Sequence, residues 1–179
     1  FVSNPIALNV EDAIAVNKAA NSRPSQRAMA LSTVRFSPLM KKLKKTLTDG
    51  LIGEVYYMEL NSAFVKAIAK LHNFSSGSAF LDNALDELDL CLYLLDGRIK
   101  EVNVESHNGM LICKARTDKD SSFALLLSPD LGTADSYLKI YGSKGHVLVS
   151  NNNFDSFKLF DNEHGLSIIN IESNDYFKF

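Results

Sequence analysis

The second half of the chain is a run of short apolar segments separated by turn residues, and it limits the fold more than any other feature. The segments are rich in β-branched and aromatic side chains, and turn sequences such as HNG, TDKD and GSKG separate them. Strands joined by such short turns pair mainly in the antiparallel direction. The predicted strands cover residues 99–106, 110–116, 123–127, 137–141, 146–149, 157–160 and 167–171.

Helical patterns precede these strands. Asn9 is the predicted cap of a first helix that ends near residues 21–22, and Ser37 caps a second helix that ends before Gly50. Further elements are a short buried strand at 29–34, a strand at 54–60, an irregular crossover at 61–78 and a third helix at 80–97. The sequence therefore predicts an α+β fold, a large and mostly antiparallel open sheet with helices on one face.

The opposite face of this sheet needs a cover of its own. Segments such as FALLL and SIINI are apolar on both faces of the pleat. A second copy of the chain is the simplest cover, so we expect a homodimer or larger oligomer through the sheet face.

Bulk composition narrows the class of protein. The 179 residues are 46% hydrophobic and 22% charged with a net charge of −2, which fits one globular domain and does not favour nucleic-acid binding. No apolar run approaches the ~18 residues of a membrane span. Cys91 and Cys113 lack the spacing of a metal or redox site, so we expect reduced, buried thiols in a cytoplasmic protein.

The predicted third helix, FLDNALDELDLCLYLLDG, carries two stripes of side chains. At 100° per residue the leucines Leu81, Leu85, Leu88, Leu92 and Leu95 form one stripe. An acidic stripe lies about 100° away. Its members are Asp82, Asp86, Asp89, Tyr93 and Asp96. We expect the leucine stripe to pack, and the acidic stripe is either a solvated ridge or one wall of a site.

Other chemistry is sparse. No glycine-rich phosphate loop is present, and no nucleophile-elbow pattern supports a serine triad. The four histidines, His72, His107, His146 and His164, lie far apart, so we predict no metal site. The aspartates of the third helix are therefore the one concentration of reactive groups, and their mutual repulsion can raise a pKa.

Four segments of the chain form a recognisable series, and they are NPIALNVEDAIAV, VRFSPLMKKLKKTLTDGLIGEVYYMEL, SGSAFLDNALDELDLCLYLLDG and YLKIYGSKGHVLV. In this order and spacing they resemble the glucose–fructose oxidoreductase/inositol 2-dehydrogenase (Gfo/Idh/MocA) family. The first resembles the segment after the family's Glu-Lys-Pro tripeptide. The third resembles the helix that carries the family's Asp-x-x-x-His signature.

The resemblance implies a specific place for this chain in a larger enzyme. Family members bind NAD or NADP on an N-terminal Rossmann domain, and a C-terminal α+β domain supplies the substrate wall and the dimerising sheet. Residues 1–179 would be that single C-terminal substrate and oligomerisation domain, with residues 1–36 a remnant of the junction with the Rossmann domain. We expect a sugar-like substrate and a fragment of a longer protein, with no cofactor held by this chain alone.

The resemblance also implies site residues, with two departures. Asn4, beside Pro5, stands where the family has the lysine that contacts nicotinamide and substrate. Asp86 stands where the family has the histidine that exchanges a proton with the substrate hydroxyl, and Asp82 matches the signature aspartate. An unperturbed aspartate has a pKa of about 3.9, below the near-neutral value that suits a general base. Arg35 lies near the domain junction by resemblance, although an arginine after a strand more often forms a structural ion pair.

Three functions are compatible with the sequence. The first is the substrate-side and dimerisation domain of an NAD(P)-dependent oxidoreductase acting on a sugar, polyol or related hydroxyl compound. The second is a non-catalytic relative, a regulator, sensor or scaffold that lost the lysine and histidine of the family site. The third is an unrelated antiparallel-sheet interaction domain with fortuitous motif matches.

Overall fold

The computed structural model describes most of the chain. The described residues are 2–3, 6–7, 9–22, 30–32, 34–62, 76–107, 110–128, 136–150 and 155–171. At 2–3, 30–31 and 76–83 the description covers the backbone alone. The predicted site residues Asn4 and Pro5 and most of the predicted crossover lie outside them.

The first elements form a small unit before the main sheet. β1 (Val2–Ser3) pairs in parallel with β2 (Ala30–Leu31), and α1 (Val10–Asn21) lies between them in sequence. α1 begins where the sequence predicts, because the Asn9 side chain accepts a hydrogen bond from the Asp12 backbone N–H. The predicted strand at 29–34 is observed at Ala30–Leu31, whereas its last position, Val34, begins a 3-10 helix (Val34–Phe36).

Two longer helices follow. α2 (Pro38–Thr48) begins at the Ser37 cap with proline in its first turn, and it buries Leu39, Met40, Leu43, Thr46 and Leu47. α3 (Ser76–Leu95) is the predicted acidic helix. Asp96 follows α3 in a left-handed conformation with φ 53°, which turns the chain toward the next strand.

Eight strands form the main sheet. They are β3 (Val55–Ser62), β4 (Ile99–His107), β5 (Met110–Thr117), β6 (Ser122–Leu127), β7 (Tyr137–Gly142), β8 (Gly145–Ser150), β9 (Ser156–Asp161) and β10 (Gly165–Asn170). Their spatial order is β10-β9-β8-β7-β3-β6-β5-β4. All neighbours are antiparallel except β3 and β6, which are parallel at the centre. A parallel pair requires a long crossover, and here α3, β4 and β5 supply it.

The helices and the sheet share one core. On one face of the pleat, strands β5 to β9 and β3 present buried apolar residues such as Met58, Phe123, Leu125 and Ile140. α2 and α3 pack on this face, which we call the covered face, so the predicted fold class is confirmed. Both cysteines are free and buried within the core.

One tight turn fixes the end of the central strands. Gly53 has φ +73°, and a Cβ there would lie 2.3 Å from Ser143 Oγ on the β7–β8 turn. Only glycine fits both the backbone conformation and the close approach. The turn thereby joins the start of β3 to the β7–β8 hairpin.

In the part of the chain that the structure describes, no helix is long and apolar enough to span a membrane.

Candidate functional site

α3 packs on the sheet with a face that is wider than its leucine stripe. Its buried residues are Leu90, Cys91, Leu94 and Leu95, whereas Leu88 and Leu92 are only half-buried. Leu88 and Leu92 still pack against the core, so the predicted packing of the leucine stripe is observed along one margin of the face that α3 presents. The rest of that face was not predicted, because α3 is apolar around much of its circumference and periodicity alone does not select the whole packing side.

The acidic stripe lies on the opposite margin and is not simply solvated. Asp86, Asp89 and Tyr93 are all half-buried. Asp82 lies one turn before Asp86 on the same stripe, but its side chain lies outside the described residues. Asp86 is thus the one predicted catalytic residue whose side chain is described. Its distance to Asn4 and Pro5 is not defined, because both lie outside the described residues.

Asp89 forms a structural ion pair with Arg35. Arg35 of the 3-10 helix donates from Nε and Nη2 to the two carboxylate oxygens of Asp89. The same guanidinium lies 5.3 Å from the ring centroid of Tyr93. A bidentate pair of this kind fixes both partners, so Arg35 acts as the structural ion-pair partner that the sequence suggested.

The far end of the stripe is also structural. Asp96 Oδ2 accepts a 2.5 Å hydrogen bond from Lys119 Nζ, which lowers the pKa of that carboxyl group. Lys44 of α2 donates to the Leu94 carbonyl at 3.2 Å, and its Nζ lies 5.5 Å from the Tyr93 ring centroid. Asp89 and Asp96 therefore belong to the packing of α3, and Asp86 with Asp82 remains the candidate pair.

Glu87 is a candidate functional residue that the sequence interpretation missed. It lies on the side of α3 that faces the sheet, and its Oε1 accepts a 2.8 Å hydrogen bond from Ser62 Oγ at the end of β3. Burial raises the pKa of Glu87 to about 7, the Ser62 hydrogen bond opposes this, and nearby Asp86 adds to it. The sequence could have indicated this position, because Glu87 lies on the same side of a helix as the apolar residues Cys91 and Leu94.

The face of the sheet away from the helices, here the open face, carries an aromatic row. Registered neighbours across all eight strands form it, in the order Leu166, Phe160, His146, Tyr141, Tyr57, Ser122, Arg116 and Glu101. Ring centroids lie 4.4 Å apart for His146 and Phe160, and 5.9 Å apart for Tyr57 and Tyr141. The next row includes Lys139, whose Nζ lies 4.7 Å from the Tyr141 ring centroid.

This open face is distinct from the flank that carries Asp86. A shallow groove of about 450 Å³ lies over Ser122, Lys114 and Arg116 on the open face. Tyr57 borders the groove, and burial together with Glu59 raises the pKa of its phenol. In the described ranges no group of three or more His, Cys, Asp or Glu side chains is arranged to hold a metal ion.

Comparison with known proteins gives one curated relative and many similar structures. Over 166 residues, 84% of this chain and 49% of the relative, the sequence is 26% identical to inositol 2-dehydrogenase of Rhizobium meliloti (strain 1021). The resemblance to the Gfo/Idh/MocA family is confirmed. No family model matches the sequence.

The structural matches extend the family resemblance to the fold. An NAD binding oxidoreductase from Klebsiella pneumoniae matches with a TM-score of 0.78 at 16% identity, over 99% of this chain and 56% of that chain. Levoglucosan dehydrogenase in complex with NADH and levoglucosan matches with a TM-score of 0.78 at 16% identity, over 96% and 54%.

The chain spans about half the length of these relatives. At 16% identity the structures establish a common fold, and the activities in their names remain theirs. The motif matches are not fortuitous, which removes an unrelated interaction domain from the candidate functions.

Proposed function

We propose that this chain is the substrate-side and dimerisation domain of an NAD(P)-dependent oxidoreductase that acts on a sugar, polyol or related hydroxyl compound. The supporting observation is a fold shared over almost the whole chain with oxidoreductases, together with a sequence match to inositol 2-dehydrogenase. In the same proposal the full-length protein is cytoplasmic, which the two free, buried cysteines favour.

In this proposal the flank of α3 that carries Asp86 is the substrate wall. Asp86 is half-buried beside the Arg35–Asp89 ion pair, so its backbone is held in place by a fixed neighbour. Asp86 accepts the proton of the substrate hydroxyl, and Asp82 is its neighbour or accepts a hydroxyl hydrogen bond. Substrate specificity then arises from side chains around this flank.

The cofactor contribution of this chain is limited to the junction. A nicotinamide held mainly by another part of the full-length protein would supply the hydride acceptor for the substrate carbon. By family resemblance Asn4 and Pro5 lie beside the nicotinamide, and Asn4 can donate a hydrogen bond but has no proton to exchange.

Helix α1 supports a junction at residues 1–36. None of its residues is buried, and Val10 and Ile14 keep 69% and 62% of their accessible surface. An amphipathic helix with exposed apolar residues gains stability when it packs against another surface. The proposed Rossmann domain provides that surface.

Dimerisation is assigned to the open face. Its aromatic row is half-exposed, and Leu166 and Ile168 on β10 extend the apolar surface with 55% and 58% exposure. Aromatic side chains flanked by lysine and glutamate are typical of the centre and rim of a protein interface. A second copy of the chain would cover this face.

Single-turnover reduction of NAD and NADP by the full-length protein, with a panel of sugars and polyols, tests the catalytic proposal. We expect turnover with at least one substrate and a loss of about 10²-fold or more in rate for Asp86→Ala. Glu163→Ala, an exposed carboxylate on the β9–β10 turn, is the matched control and should keep the rate. An unchanged rate in Asp86→Ala would remove its assigned role.

The alternative is a non-catalytic relative that serves as a regulator, sensor or scaffold. The observation that favours it is Asp86 in place of the family histidine, combined with Asn4 in place of the lysine. Binding of a sugar by calorimetry without any reduction of NAD or NADP would support this alternative. Turnover that depends on Asp86 would exclude it.

A further inference from the structure

Glu87 occupies an unusual position for a carboxylate. It lies on the sheet-facing side of α3, one turn before Cys91, which is fully buried. Part of the residue remains accessible, but its carboxyl group is bonded to Ser62, whose side chain keeps 1% of its accessible surface. The hydrogen bond therefore joins α3 to the last residue of β3 inside the helix–sheet interface.

Among the residues that the structure describes, no charged group neutralises Glu87. Of the elements packed against α3, the 3-10 helix directs Arg35 to Asp89, and α2 directs Lys44 to the Leu94 carbonyl. β6 contains no titratable residue, and Tyr57 and Glu59 of β3 lie on the open face. Asp86 and two buried thiols are the other groups nearby in the described part of the chain, and burial raises the pKa values of those thiols, Cys91 and Cys113. A buried carboxylate that has no cation among these described neighbours is costly to ionise.

We propose that Glu87 is a positioning residue, and that its protonated side chain, bonded to Ser62, holds α3 against the sheet and thereby fixes Asp86 on the adjacent flank. The inference rests on the proposed function, because a fixed Asp86 matters only where that flank contacts substrate. Ionisation of Glu87 introduces an unpaired charge at the interface and loosens the docking of the helix.

The direction of the pH effect follows from proton linkage. The pKa of Glu87 is about 7 in the folded chain and 4.5 for an ordinary glutamate. The folded state therefore binds more protons between these values, and stability falls as the pH rises through this window. Below pH 4.5 the stabilisation is complete, and above pH 7 it is lost.

Thermal unfolding of Glu87→Gln and of the wild-type protein from pH 5 to pH 8 tests the proposal. Glutamine keeps the acceptor for Ser62 and cannot ionise. The melting temperature of Glu87→Gln, measured relative to that of the wild type, should therefore rise by about 5 °C between pH 5 and pH 8. Glu54→Gln, an exposed position, should stay parallel to the wild type. A Glu87→Gln profile parallel to the wild type would overturn the proposal.

A direct titration keeps the test independent of whether a variant folds. The Glu87 carboxyl carbon, followed by NMR in the wild-type protein, should titrate near pH 7, and Ser62→Ala should raise that midpoint because the lost hydrogen bond favours the charged form. A midpoint near 4.5 would refute the inference. In the full-length protein, kcat/KM for the sugar should fall above pH 7 in the wild type and not in Glu87→Gln, and parallel profiles would refute the positioning of Asp86. Absence of sugar-dependent turnover would refute the proposed function and leave the Glu87 titration unaffected.

Discussion

The two faces of the eight-stranded sheet differ although the same strands build them. On the covered face Phe123 keeps 1% of its accessible surface, whereas Ser122 and Ala124, its neighbours on the open face, are half-buried. The covered face is filled by apolar side chains under α2 and α3, and the open face presents aromatic and charged rows. The difference indicates that one face stabilises the chain and the other is available to a partner.

The largest expected effect is on the covered face. Phe123→Ala should lower the free energy of unfolding by about 3–5 kcal/mol, because it leaves a cavity in a fully packed core. Leu126→Ala, on the same strand but on the open face, should cost about 1 kcal/mol. Urea unfolding of both variants measures the contrast, and equal losses would contradict the assignment of the two faces.

The second prediction concerns association through the open face. Ile168→Arg should weaken the proposed dimerisation about tenfold or more, since it adds a charge to the apolar surface that such a dimer would bury. Val102→Arg is the control, because Val102 is 56% exposed, close to the 58% of Ile168, but lies on the covered-face side of β4. Sedimentation equilibrium gives both dissociation constants, and equal effects would place the interface elsewhere.

A smaller effect is expected at the ion pair beside the proposed substrate wall. Arg35→Ala should cost about 1 kcal/mol of stability, because it removes a bidentate pair with Asp89 and a contact with Tyr93. Lys45→Ala removes an exposed pair with Asp49 and should change stability by less than about 0.5 kcal/mol. Comparable values in chemical denaturation would mean that the Arg35 pair is no more than a surface contact.

The smallest effect is expected from protonation of His146 on the open face at low pH. Burial, and then Lys139, lower the pKa of His146, so the folded state binds fewer protons than the unfolded chain just below pH 6.5. Stability from this residue is present above that pH and is lost as the pH falls. His146→Gln should therefore reduce the fall in melting temperature between pH 7.5 and pH 5.5 by about 1 °C. An identical fall in both proteins would show that His146 has no part in it.

Most of the strands were predictable because short turns and alternating side chains define them locally. The predicted strand at 137–141 is observed at Tyr137–Gly142, and the other strands predicted after residue 98 agree within two residues at each end. The parallel placement of β6 beside β3 was not predicted. Turn signals in the sequence show which consecutive strands pair, but they do not show which distant strand lies beside another. Tertiary packing decides that choice.

The candidate site was predictable in part. Residue spacing located the acidic flank of α3. It could not show that Arg35 forms an ion pair with Asp89 or that Glu87 faces the sheet. Both outcomes depend on which side of α3 meets the strands, and the leucine and cysteine side chains of this helix allow more than one choice. The roles of Asp82, Asp86, Asn4 and Pro5 stay predictions.

The position of β3 has a consequence for the newly synthesised chain. Its two partners are β6 and β7, and Ser122 follows its registered partner Tyr57 by 65 residues. At ribosomal rates of about 5–20 residues per second, β3 waits roughly 3–13 s with both edges unpaired. An unpaired apolar strand is a substrate for chaperones and a start point for aggregation, so expression yield should depend on how quickly residues 63–127 are translated.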